Sequence, residues 1–222
     1  MKKFIHVDRC DSTQELLKEQ LALDHDYEDL AVSCDHQLNG FGRGSNTWTD
    51  SPGTICFSIT IIPNKNITFT PLEISLLVRH FFLLKGKEIK VKWPNDLINS
   101  EGKKCGGVII QNSGPDFYAG IGINLYQMDP SFGGIYESEF PLDKKEWAKE
   151  LSTFIWQNRY AGPEEIATDW LKGCHHLNKQ VKIVDGNNEA TGEFVDLGLY
   201  GEAVLKNAQG TIHLYNGSLR LI

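Results

Sequence analysis

Apolar and polar positions along the chain fall into two periods. Phe4-Ile5-His6-Val7 alternates as a short strand, and residues 30–34 (LAVSC) form a second apolar run. Residues 54–62 (TICFSITII) are apolar and β-branched throughout, the pattern of a strand buried on both faces. Residues 89–93 put Ile89, Val91 and Trp93 on one face and Lys90 and Lys92 on the other. In residues 117–125, Ile121, Ile123 and Leu125 share a face, while Gly120, Gly122 and Asn124 share the opposite one. Helical spacing appears four times. Leu16, Leu17 and Leu21 follow a start at Ser12, where Glu15 completes capping-box spacing. Leu72, Leu76 and Leu77 follow a second box, Thr70 with Glu73, that has Pro71 in its first turn and Gly86 as its stop. Trp147, Leu151, Phe154 and Ile155 line a helix opening near Pro141, and Pro163 starts another that runs to about residue 172. From Gln180 short strands at 181–184, 190–197, 202–205 and 211–214 alternate with turn residues, which predicts a small antiparallel barrel. The expected fold class is α+β, a mixed-sheet domain over residues 1–176 followed by a barrel over residues 177–222.

Residues 90–107 (KVKWPNDLINSEGKKCGG) concentrate the chemistry. Pro94 ends the first strand because it has no N–H for a ladder, and Asn95 and Asp96 suit the corner that follows. Residues 99–102 read as a hairpin connection, and Lys103 and Lys104 open the returning strand ahead of Gly106 and Gly107. Cations on one face, a carboxylate at the corner and glycines that permit close approach suggest a site for an anionic ligand. Lysines that protect a sheet edge and a Gly-Gly bulge would leave the same trace, and both readings stand on these residues alone. Residues 36–48 (HQLNGFGRGSNTW) form a loop with three glycines at alternate positions. Its free N–H groups and the fork of Arg43 suit an anion, although such a loop is also an ordinary connection.

Composition narrows the classes. The chain has 222 residues, 41% hydrophobic and 10% aromatic, which suffices for one catalytic domain and a small appendage. No apolar run approaches the ~20 residues of a membrane span, and no apolar stretch follows Lys2 and Lys3, so no signal peptide is expected. A net charge of −7 argues against broad nucleic-acid binding. Five cysteines without a CxxC pair fit reduced thiols in the cytoplasm. Cys174-His175-His176 lacks a second ligand pair at workable spacing, so no metal is expected there.

The motifs also resemble a known family. KWPNDL at 92–97, with Lys104 and Gly106-Gly107 behind it, is similar to the signature of biotin protein ligases. Ser12 and Thr13 match the first two residues of the family's Ser-Thr-Asn triplet, where Gln14 replaces Asn and lengthens the arm. Gln37, Gly40, Gly42, Arg43 and Trp48 fall on positions of its ligand loop, where Phe41 stands in place of the usual Arg or Lys. Residues 120–124 match its Gly-x-Gly-Ile-Asn pocket floor. The resemblance implies a catalytic domain of the biotin/lipoate ligase type with an SH3-like C-terminal barrel. It also implies the activity: ATP and Mg2+ as cofactors, biotin as substrate, a biotinyl-5'-AMP intermediate, and transfer to a lysine of a biotin carboxyl carrier protein domain. Lys104, Arg43 and Asp96 are then the catalytic candidates. Ser12, Thr13, Gln14, Gln37, Gly40, Phe41, Gly42, Gly107, Gly120 and Gly122 would join Lys104 and Arg43 against biotin or its adenylate. Trp48, Lys92, Asn95 and Asn124 would face the nucleotide. No protein side chain is assigned to metal, which arrives with ATP, and the lost cation at Phe41 should weaken the grip on phosphate. The helix-turn-helix domain of the family's repressor branch is not expected, and a monomer or homodimer is compatible with the resemblance. Alternatives are a lipoate or octanoate ligase or transferase of the same fold, and a non-catalytic sensor of biotin or its adenylate.

Overall fold

The computed structural model describes residues 2–23, 29–44, 46–127 and 129–222. In chain order the first elements are β1 (Lys2–Cys10), α1 (Thr13–Leu23), β2 (Asp29–Gln37), β3 (Gly40–Phe41), β4 (Thr47–Trp48), β5 (Thr54–Ile61) and α2 (Phe69–Leu84). Then come β6 (Lys90–Lys92), β7 (Asp96–Ile98), β8 (Lys104–Ser113), β9 (Asp116–Asn124), α3 (Lys144–Gln157) and α4 (Pro163–Gly173). The last part is all strand: β10 (Gln180–Asp185), β11 (Asn188–Leu197), β12 (Ala203–Asn207), β13 (Gly210–Leu214) and β14 (Ser218–Leu221). No helix among the described residues is long and apolar enough to cross a membrane.

A seven-stranded mixed sheet, in the order β1-β2-β5-β9-β8-β7-β6, is the platform. β1 and β2 run parallel and the other neighbours antiparallel. The alternation in β9 decides what lies on each side. Ala119, Ile121 and Ile123 join the main core beneath α2, α3 and α4 with Phe57, Ile59, Leu76 and Phe82. Tyr118 points the other way and is buried with Leu17, Leu21, Leu30 and Val32 under α1. On that second face the next positions of β9 are Gly120 and Gly122, so β9 contributes no side chain there, and Cys56 and Ile109 flank it on the neighbouring strands.

Several local expectations are corrected. Ser12 Oγ does accept from the Gln14 N–H at 3.2 Å, but Glu15 pairs with Lys18 at 2.8 Å instead of reaching back. The Thr70–Glu73 box does not form. The helix starts at Phe69, and Thr70 Oγ1 accepts from Asn64 N at 2.9 Å. Glu73 is fully buried and takes Arg159 at 2.6 Å, together with Asn64 and the Tyr160 N–H. A buried carboxylate needs charged or donor partners, and that demand outweighs a cap. Gly86 ends α2 with φ +72, as expected. The C-terminal strands form one five-stranded antiparallel sheet, β13-β12-β11-β10-β14. This five-stranded arrangement is consistent with the expected SH3-like domain, and among the described residues no ladder joins β13 to β14. It seats on the main sheet through the indole of Trp93, whose Nε1 donates to Gly201 O at 3.1 Å, and through Thr68 Oγ1, which donates to Tyr200 O.

Candidate active site

A cavity of about 370 Å³ opens over the bare part of β9. Of the residues singled out from the sequence, all but Gly40 line it. Gly40 sits behind the wall, packed against the Gln37 amide and Trp48.

The floor explains why glycine is needed. A Cβ on Gly120 would stand 2.6 Å from Gln14 Cδ, and one on Gly122 would stand 2.5 Å from Trp48 Cε2. Both distances are far inside van der Waals contact, so the Gln14 side chain and the Trp48 indole lie directly on the backbone of β9. Gln14 is 3% exposed, yet its Nε2 has no hydrogen-bond partner among the described residues. A buried N–H without a protein partner, on a residue that lines the cavity, is one that a ligand acceptor reaching it would relieve.

One end is a hydroxyl and amide chain. Ser58 Oγ donates to Thr13 Oγ1 at 2.8 Å, and the Thr13 N–H donates to Gln37 Oε1 at 2.9 Å. Gln37 Nε2 then points at Cys56 Sγ, 3.8 Å away. Burial pushes the Cys56 thiol up to about 12, so it stays protonated beneath the pocket. Nothing in the alternation of β5 distinguished Cys56 from its apolar neighbours, and it was not anticipated as a lining residue.

The other end carries charge. The corner at 92–96 is itself a hairpin, because β6 and β7 pair Lys92 opposite Asp96. Asp96 therefore lies between two lysines, with Lys104 Nζ 2.5 Å from Oδ1 and Lys92 Nζ 3.3 Å from Oδ2. The hairpin at 99–103 that delivers Lys104 is held by Asn99, whose Oδ1 accepts from the N–H groups of Glu101 and Lys103. Gly102 supplies φ +79 in that turn. Gly107 lies beside the Lys104 amine, and a Cβ there would meet Nζ only at 3.6 Å. Asn95 is 6% exposed and engaged at both ends of its amide, donating to Val108 O at 2.7 Å and accepting from Arg43 at 3.3 Å. Asn124 is likewise committed, with its Oδ1 accepting from Thr54 at 2.9 Å.

The glycine-rich loop is a two-rung ribbon, Gly40 opposite Trp48 and Phe41 opposite Thr47, with Arg43 at its tip. Ser45 lies outside the described residues. Phe41 is 44% exposed at the mouth, and Phe132, also unforeseen, is 42% exposed and lines the same cavity. Burial lowers the Arg43 pKa from its ordinary value, against the opposing pull of Asp96 and Asp185.

Comparison with known proteins gives this arrangement its kin. Residues 6–125 match the sequence profile of the biotin/lipoate A/B protein ligase family. The chain belongs to that family. The ligase family match ends at the last residue after the Gly-x-Gly-Ile-Asn strand, so it covers the floor, the lysine hairpin and the loop. Biotin protein ligase from Aquifex aeolicus, solved in complex with biotin and ATP, is 28% identical and superposes with a TM-score of 0.86 over 100% of both chains. A biotin–protein ligase of Schizosaccharomyces pombe is 30% identical over 217 residues, covering 79% of this chain and 34% of that protein. The bifunctional ligase/repressor BirA of Bacillus subtilis is 30% identical over 159 residues, covering 67% of this chain and 46% of its own length. The chain thus spans between a third and a half of these two curated relatives.

Proposed function

We propose that this chain is a biotin–protein ligase that activates biotin with ATP and transfers it to a lysine of a biotin carboxyl carrier protein domain. The observation that carries the reading is the joining of three features in one cavity: a glycine floor strand, the unpartnered amide of Gln14 on it, and Lys104 and Arg43 at the same end. The biotin-bound and ATP-bound relative of the same overall shape supports it.

In the first half-reaction a biotin carboxylate oxygen attacks the α-phosphorus of ATP. A new P–O bond forms as the bond to pyrophosphate breaks. The carboxylate is already a nucleophile at neutral pH, so no base is required. What is required is cancellation of repulsion between two anions, and that is the work of Lys104 and Arg43. Mg2+ carried by the nucleotide would supply further charge neutralisation on its phosphates. Ser12, Thr13 and Gln37 would orient the biotin ring, and Gln14 Nε2 would donate to it. In the second half-reaction the neutral amine of the acceptor lysine attacks the acyl carbon, and AMP leaves with the electrons of the broken C–O bond. Asp96 orients that amine and accepts its proton once Lys104 has moved to the adenylate.

Incubation with biotin, MgATP and a purified acceptor domain, followed by streptavidin blotting, tests the reading. Labelled acceptor supports it. Unlabelled acceptor with bound biotin leaves the sensor reading, which Phe41 favours by removing a cation. Labelling only with lipoate or octanoate would place the substrate elsewhere in the family.

A further inference from the structure

Arg43 is held from the other domain. Its Nη2 donates to Asn216 Oδ1 at 2.7 Å and its Nη1 to Gly217 O at 3.2 Å, across 173 and 174 residues of sequence. A third bond, Nη1 to Asn95 Oδ1 at 3.3 Å, is the longest of the set. The amide of Asn216 is not free to turn, because its Nδ2 donates to Asp185 Oδ1 at 3.1 Å. That bond leaves Oδ1 facing the guanidinium. Gly217 is fixed as well. It has φ +134, and a Cβ on it would stand 2.6 Å from Ile183 Cγ2 and 2.9 Å from Val184 O. The Asn216–Gly217 corner is therefore clamped on β10, and Arg43 is clamped on the corner.

All three acceptors of Arg43 are neutral oxygens. A carboxylate in their place would orient the guanidinium equally well but would also neutralise it, and an incoming phosphate would have to compete. Amide and carbonyl oxygens fix the direction of the fork and leave its charge for an anion. We infer that Asn216 is a positioning residue: the C-terminal sheet aims Arg43 into the cavity through it, so that this small domain completes the phosphate end of the site. The inference rests on the ligase reading of the cavity.

Asn216 is exposed on a turn, and the sheet keeps its other ties through Trp93, Thr68 and buried Leu219, so its replacement leaves the fold intact. The experiment measures both half-reactions in the wild type, Asn216→Ala and Asn216→Asp. Loss of one hydrogen bond to a charged group should slow biotinyl-adenylate formation about tenfold in Asn216→Ala. Transfer from preformed biotinyl-adenylate to the acceptor should stay within about twofold of wild type, as should the KM for biotin. Asn216→Asp keeps an acceptor for Arg43 but opposes its charge and exchanges the donation to Asp185 for repulsion, so its KM for ATP should rise more than its kcat falls. Adenylate formation by both variants at the wild-type rate overturns the inference and leaves the ligase reading in place. Equal losses in both half-reactions, or a lowered melting temperature of Asn216→Ala, also overturn it by showing a merely structural role. A wild type that forms no adenylate overturns the ligase reading itself.

Discussion

Replacing Lys104 with alanine separates what the residue does for the fold from what it does for the reaction. Its amine is 2.5 Å from Asp96, but its side chain is 46% exposed. An ion pair so open to water contributes roughly 0–1 kcal/mol. Asp96 would not be stranded by the change, because Lys92 remains 3.3 Å from its other oxygen. The variant should therefore lose less than about 1 kcal/mol of stability, readable in a denaturant melt. The reaction should respond on another scale. A preorganised donor aimed at developing charge is worth about 2.7–4 kcal/mol, a factor of roughly 10²–10³ in rate. Single-turnover release of pyrophosphate from biotin and MgATP measures that factor directly. Lys104→Arg retains charge but not the compact ammonium and should fall between the two. A Lys104→Ala protein that melts normally and releases pyrophosphate within threefold of the wild-type rate would refute the assignment of this lysine.

Three further outcomes are expected. Gly122→Ala places a Cβ 2.5 Å from the Trp48 indole, so the ring must leave the floor; the expected cost is about 1–3 kcal/mol of stability, with weakened biotin binding by calorimetry. Unchanged affinity would show that the bare floor is not used. Phe41→Arg restores a cation at the cavity mouth and should lower the KM for ATP by about fivefold to tenfold, an effect that high salt should diminish. No change in KM would show that the position does not reach phosphate. His176 is fully buried against Phe194 and Trp170, and burial, aided by Lys92 and His175, lowers its pKa to about 3. Below pH ~6.5 the unfolded chain takes up a proton that the native ring refuses, so stability falls with pH at about 1.4 kcal/mol per unit from this group, continuing to about pH 3. His176→Phe removes that term, and its stability relative to wild type should rise by about 2 kcal/mol between pH 6.5 and 5. A difference that does not vary with pH would refute the titration.

How much of this was legible depended on the range of the interaction. The alternation in residues 89–93 and 117–125 is a local property of a strand, and it placed Val91, Trp93, Gly120 and Gly122 on their correct faces. Pro94 marked the end of β6 correctly, but that the corner pairs β6 with β7 was not visible, since Lys92 and Asp96 bracket only three residues. The Thr70–Glu73 box failed because the partners that claimed Glu73, Arg159 and Tyr160, lie more than eighty residues away. The C-terminal strands were found from their turns, while whether they close into a barrel depends on edge pairing that turn residues do not encode. Asn216 and Phe132 left no trace at all: one is a turn residue by composition and the other an isolated aromatic, and only the fold brings them to the cavity or to Arg43.

The charge arrangement follows from a requirement that an acidic protein must meet locally. With a net charge of −7, the molecule as a whole repels a nucleotide. At the lysine corner, two amines share one carboxylate, so a single positive charge remains in excess. Arg43 adds another, hydrogen-bonded only to neutral oxygens, with Asp96 and Asp185 acting on it through space. The two excess charges sit at one end of the cavity, and the uncharged chain of Thr13, Gln37 and Ser58 sits at the other. A ligand with an anionic head and a neutral hydrogen-bonding ring is therefore received in one orientation. Lys104 can exchange Asp96 for such a head without stranding a buried charge, since Lys92 keeps the carboxylate paired. Exchange of one partner for another of the same sign requires little reorganisation, which is what a site must do if it is to activate a carboxylate and then let the acylated product leave.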